Sequence, residues 1–326
     1  MRHHSWPLLI ISFLLLLSCQ NEPWMVDLEA SKVDVNIERF DQAFYETPIA
    51  DFEKEFPQLQ KRFQAFLPEG STAEDWIGFR KDTFMIELYR AVDSVFPDLN
   101  ALEKDIEKCL SYLKYHYPEF ETPKVYTYVS SIDIEFPVIY ADNQIFIALD
   151  AYLGPDYKGY EGMYQYLRAD RRPEYIPVEL AEKMSENFIG PCRDCESLLD
   201  FMIHAGKQQV FFDALLPAYA DSLKFKYTAQ EFQWCLDNEY NMWEYLVREE
   251  LLYDLSYQTK TRFLGPAPFT KFYREEDKES PGMAGRWIGW RIVDAYRAKQ
   301  DISSLKKITN TDAQTILKKS GYKPKP

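Results

Sequence analysis

The sequence has 326 residues, of which 46% are hydrophobic, 28% charged and 16% aromatic, with a net charge of −14, five Cys and four His. This is globular composition with enough apolar content for a sizeable core, and the low Gly count of 12 leans toward helix over turn-rich β architecture. The acidic balance argues against nucleic acid as a partner, because phosphate backbones need clustered Lys and Arg, and so few His nearly exclude a zinc site built on several imidazoles.

Residues 1–18 read as an export signal. Arg2, with His3 and His4, precedes an apolar run from Leu8 to Leu17 that only Ser12 interrupts. Ten helical residues rise about 15 Å, half of a bilayer core, so the run is too short to span. It ends in Leu16-Leu17-Ser18-Cys19, which resembles a bacterial lipobox, where the Cys is lipidated and becomes the mature N-terminus. The expected organisation is a lipoprotein signal peptide at 1–18, a lipid-anchored tether at 19–31 and a single domain at 32–326. One acyl chain on Cys19 would hold a membrane marginally, and two or more stably.

Val33, Val35 and Ile37 alternate with polar residues and predict a short strand. Helical patterns follow at 40–46, 51–66, 72–94 and 99–116; the second carries an aromatic stripe of Phe52, Phe56, Leu59, Phe63 and Phe66 that reads as core. His116 closes the last of these, where the helix dipole favours its charged form. Residues 124–149 change character: Lys124–Val129, Phe136–Tyr140 and Gln144–Leu149 are strand candidates, the last two joined by an Ala141-Asp142-Asn143 hairpin turn. From there the chain reads as helix at 160–169, 177–189, 195–215, 228–255, 283–299 and 311–319. A small mixed sheet packed by many helices is an α+β fold.

Cys109 and Cys235 fall in helical patterns and read as small buried hydrophobes. Cys192 and Cys195 form a Cys-x-x-Cys after Ile189-Gly190-Pro191; with no second pair and an exported context, a structural disulfide or buried thiols are favoured over zinc or redox chemistry. Trp287 and Trp290 share a helix face beside Ala284, Gly285 and Gly289, which permit close approach; the face reads first as core packing and second as a partner surface.

Two helices carry polar groups among apolar ones. His204 and Gln208 fall in line with Phe201, Phe211 and Leu215; Glu239 falls in line with Phe232, Leu236, Trp243 and Leu246. A carboxylate in an apolar seam needs a partner, so His204, Gln208 and Glu239 are expected to meet where these helices cross. His204-Ala205-Gly206-Lys207-Gln208 resembles the His-Glu-x-x-His helix of zincins, with Ala205 where the base would stand and Gln208 where the second ligand would stand. Glu239 lies where the gluzincin branch takes its third ligand, and Asp150-Ala-Tyr-Leu-Gly154 resembles the edge-strand region. The resemblance implies a zincin-like fold with its chemistry removed.

More fully, the chain resembles the gliding-motility lipoprotein GldB family of the Bacteroidetes, related to predicted zinc-dependent proteases. The residues that carry this are Ile37-Glu-Arg-Phe-Asp41, Asp150–Gly154, Met202–Gln208, Asp213-Ala-Leu-Leu-Pro217, Asn238-Glu239, Met242-Trp243, Gly265–Phe269, Pro281–Val293 and Gly321–Lys325. It implies a membrane lipoprotein needed for gliding and linked to type IX secretion, in the cell envelope and on the outer membrane facing the periplasm, with other gliding and secretion proteins as partners. No catalytic residue, metal, cofactor or small-molecule substrate is assigned. The alternatives are a hydrolase whose zinc is held by His204, Glu239 and a third ligand such as Asp150 or Glu244, and an aromatic-lined binder of sugars or peptides.

Overall fold

The computed structural model describes residues 23–273 and 275–326; the expected signal peptide at 1–18 and Cys19 lie outside the described residues. The chain enters the sheet as β1 (Ile37–Arg39) and continues through α1 (Phe40–Glu46), α2 (Phe52–Arg62), α3 (Ala73–Lys81), α4 (Thr83–Val95) and α5 (Asn100–His116). The strands β2 (Lys124–Tyr128), β3 (Val138–Ala141) and β4 (Gln144–Ala148) follow. Then come α6 (Gln165–Ala169), α7 (Ile176–Phe188), α8 (Leu198–Leu215), α9 (Asp221–Phe225), α10 (Ala229–Arg248), α11 (Tyr257–Leu264), α12 (Ala284–Lys299), α13 (Leu305–Thr309) and α14 (Ala313–Ser320). The sheet runs β1-β2-β4-β3, with β1, β2 and β4 parallel and β3 antiparallel to β4. The fold is therefore α+β, mostly helical with a small mixed sheet. Asp142 and Asn143 turn the β3–β4 hairpin with φ of +50° and +56°, the left-handed pair that such a turn demands.

Only the end of the Val33–Ile37 alternation joins the sheet. The rest lies along α5, where the N–H groups of Val33, Val35 and Ile37 donate to Ser111 Oγ (3.0 Å), Glu107 Oε1 (3.2 Å) and Glu103 Oε2 (3.0 Å). Two strand residues advance about 6.7 Å and four helix residues about 6 Å, so alternate amides meet every fourth side chain. The helix side chains thereby take the place of a strand partner.

Caps decide where the long helical patterns break. The 72–94 pattern divides into α3 and α4 because Asp82 accepts the Met85 N–H (3.1 Å) as an N-cap. The 228–255 pattern stops at Arg248; Glu250 then takes φ +55° and a single turn, Leu251–Tyr253, follows. The helices α9, α11 and α13 have no counterpart among the sequence patterns; α9 and α13, of five residues each, are too short to show a period.

The Phe stripe forms a compact cluster of Phe40, Phe44, Phe52, Phe56, Phe63 and Leu67 against Tyr126 of β2. The main core is built around α8, twelve of whose eighteen residues are buried. α8 and α12 cross at Gly206 and Gly289: a Cβ on Gly206 would run into the Gly289 carbonyl, and one on Gly289 into the Met202 carbonyl. Residues 23–31 of the expected tether pack on this body through Trp24, which is 4% exposed with its ring edge-on to His116 at 5.5 Å and under the Arg297 guanidinium. Indole burial there overrides the spacer-like composition of residues 23–31. Among the described residues no helix is long and apolar enough to cross a membrane.

Candidate functional site

A capping box starts α8. Ser197 Oγ accepts the Asp200 N–H, and the Asp200 carboxylate accepts the Ser197 N–H (2.9 Å). From that start, Met202, Gly206, Gln209 and Asp213 fall toward α12, while His204, Lys207 and Gln208 take the half-buried side.

The expected meeting of His204, Gln208 and Glu239 does not form. α12 packs against both α8 and α10, and Glu239 turns to α12 and the C-terminal segment. Its Oε2 accepts from Arg291 Nε (2.8 Å) and its Oε1 from the Tyr322 hydroxyl (2.9 Å). The carboxylate needed a partner, as the apolar seam required, but a guanidinium supplied it. Among the described residues no hydrogen bond joins His204 or Gln208 to Glu239.

His204 lines a crevice of about 610 Å³ between α8, the Cys192–Cys195 loop and the turn at 309–314. Cys192 and Cys195 are joined as a disulfide with Cα atoms 5.4 Å apart, while Cys109 and Cys235 are free and buried. Burial, and then the charge of Lys207, lower the His204 pKa; burial also lowers that of Lys207, with Asp312 opposing. The crevice therefore presents a neutral imidazole that can donate or accept one hydrogen bond. Among the described residues no group of three or more His, Cys, Asp or Glu is placed to hold a metal ion. The ligands considered from sequence are scattered. The Asp150 carboxylate accepts the N–H groups of Ser130 (2.8 Å) and Ile132 (2.6 Å), holding Ile132 at φ +65°, a costly conformation for a β-branched residue. Glu244 faces Arg248 at 3.5 Å.

The interior polar cluster lies one residue further along α8, and it draws Asp213, Arg286 and Trp290 from the Asp213–Pro217 and Pro281–Val293 segments, to which no polar role was given. Asp213, 9% exposed, accepts from Lys224 Nζ (2.5 Å) and Trp290 Nε1 (2.7 Å). Arg286 donates to Gln209 Oε1 through Nε (2.9 Å) and Nη2 (2.6 Å), and to the Lys224 carbonyl (2.9 Å). Beside it, Glu179 of α7 accepts from the Tyr152 hydroxyl, Arg171 Nη2 (3.2 Å) and Lys226 Nζ (3.0 Å). Burial works against the Lys224 ammonium, yet Asp213 and Asp221 hold its pKa above the ordinary value. Burial pushes Asp170 up to about 6, against Lys226 and Arg171. Asp213 and Glu179 are thus held in ion pairs, while Arg171 Nη1 and Gln209 Nε2 are left without a partner. The one available signal was the i, i+4 pair Gln209–Asp213, both polar, inside a helix apolar on nearly every face.

Trp287 and Trp290 are core, 0% and 8% exposed, with centroids 5.3 Å apart and both rings against Phe225. That leaves no exposed partner face there. His116 corrects another expectation. Its ring lies edge-on to Trp24 and Tyr115, Nε2 has no partner, and burial lowers its pKa to about 4. Desolvation outweighs a helix-dipole contribution of about 0.3–1 kcal/mol, so the imidazole is neutral.

A family model described as gliding motility protein GldB matches residues 21–324. No curated protein and no solved structure matches the chain.

Proposed function

This chain belongs to the gliding motility protein GldB family, which gives it a role in gliding, and from that premise we propose that it is a non-catalytic, lipid-anchored assembly component of the gliding apparatus. In this reading Cys19 carries the acyl chains, the body stands on the outer membrane facing the periplasm, and its partners are other gliding and type IX secretion proteins. The scaffold is an inherited zincin shape whose chemistry is gone. The observation that carries the non-catalytic part is the closure of Glu239 by Arg291 and Tyr322. A third zinc ligand at that position would have to shed a guanidinium, while Ala205 and Gln208 stand where the base and second ligand would be needed.

The test pairs metal content with motility. The full chain purified from its membrane should carry no stoichiometric zinc, and cells with His204→Ala should still glide. Cys19→Ser should leave the protein folded, release it from the membrane and stop gliding. Bound zinc that disappears together with gliding in His204→Ala would overturn the non-catalytic reading; unchanged membrane retention of Cys19→Ser would overturn the anchor.

A further inference from the structure

The end of α3 and the first half of α4 wall a cavity of about 440 Å³ whose charges are all of one sign. Arg80, Lys81 and Arg90 line it with Tyr45, Tyr89 and Ile86, and no Asp or Glu does, in a chain of net charge −14. Arg80 is 7% exposed. Its Nη2 donates to the Thr47 carbonyl (2.5 Å), its Nε has no partner, and its guanidinium lies 5.5–5.7 Å from the ring centres of Phe44, Tyr45 and Phe52. Among the described residues none of the three cations makes an ion pair. Of the acids nearby, Glu46 accepts from the Tyr89 hydroxyl (3.1 Å) and from Gln42 (3.2 Å), and Asp82 caps α4.

Arg39, Arg171 and Arg291 of the same chain each meet a carboxylate, at 2.6, 3.2 and 2.8 Å. Burying a guanidinium without one costs several kcal/mol, and Arg80 is one of the residues that line this open cavity. We propose that this cavity is a binding site for a phosphoryl group, held by Arg80 at its base and by Lys81 and Arg90 at its mouth. Three converging cations match the charge of a phosphate and the spread of its oxygens, and a guanidinium is the side chain best suited to hold such oxygens. The stacked rings of Tyr45 and Tyr89, 5.0 Å apart at 15°, and the Ile86 side chain leave an apolar wall for the organic part of the ligand. Burial lowers the Arg80 pKa, with Tyr45 and Tyr89 opposing.

The full chain in nonionic detergent should be titrated calorimetrically with inorganic phosphate, with dihexanoylphosphatidylglycerol below its micelle concentration, and with acetate. Phosphate or the phospholipid should bind, more weakly as salt rises. The affinity should fall about tenfold or more in Arg80→Gln, fall in Arg90→Glu, and stay unchanged in Lys54→Gln on α2. Arg90 is exposed, so Arg90→Glu carries the test if Arg80→Gln does not fold. Sensitive binding of phosphate supports a free phosphorylated ligand; sensitive binding of the phospholipid alone supports a lipid headgroup. Acetate binding as tightly as both would overturn the phosphoryl assignment. No binding, or equal binding by wild type and Arg90→Glu, would overturn the site.

Discussion

His116 and Glu239 each raised a question of charge that burial answered. At the end of α5 the dipole favours an imidazolium, but the ring is wedged between Trp24 and Tyr115 and titrates at about 4. Its folded pKa lies below the unfolded value of about 6.5, so the unfolded chain binds the extra proton. Its contribution to stability is therefore complete above pH 6.5, is lost as pH falls from 6.5 toward 4, and levels off below that. Discounted for partial exposure, the loss is on the order of 2 kcal/mol. Urea denaturation of wild type and His116→Phe across pH 4–8 should give a difference curve flat above 6.5 and sloping below it; parallel curves throughout would show that His116 is not buried neutral. For Glu239 the sequence was right that a carboxylate in an apolar seam must be paired, and it could not say by whom. Arg291 is 52 residues away and Tyr322 is 83, and only the path of α12 and the C-terminal segment brings them to it.

At the scale of elements, the α8–α12 crossing shows how much one missing methyl decides. Gly289→Ala would drive a Cβ into the Met202 carbonyl, a backbone group that cannot rotate away, at a cost of about 3 kcal/mol. At Gly78 in α3 a Cβ would meet nothing within 4 Å, so Gly78→Ala should stabilise by about 0.5–1 kcal/mol through helix propensity. Thermal denaturation of the two variants should therefore move in opposite directions, and a tolerated Gly289→Ala would refute the close approach. The same crossing explains why the period of α8 points to the wrong polar residues. A helix whose apolar residues run round nearly every face has no period to report, so His204 and Gln208 look as inward-facing in sequence as Gln209 and Asp213. Where a helix does have one wet side, as in the Phe52–Phe63 stripe, the pattern and the packing agree.

Across the whole molecule, residues 23–31 belong to the body, and Trp24 fastens them between His116 and Arg297. Trp24→Ala should cost about 3–5 kcal/mol, measurable as a lowered denaturation midpoint, whereas a loose spacer would tolerate it without change. Local sequence was enough for the α+β class, the hairpin at Asp142-Asn143 and the aromatic core stripe, and its first reading of Trp287 and Trp290 as core packing agrees with their burial. These follow from local period, turn chemistry and short spacing, which a few neighbouring residues encode. The tertiary structure alone decided which side of α8 is polar inside, which cation meets Glu239, that His116 is dry, and that Arg80 stands in a cavity without an acid. Each of these depends on groups distant in the chain, and the free energy that settles them is the desolvation of a charge, which has no value until the neighbours that displace the water are in place.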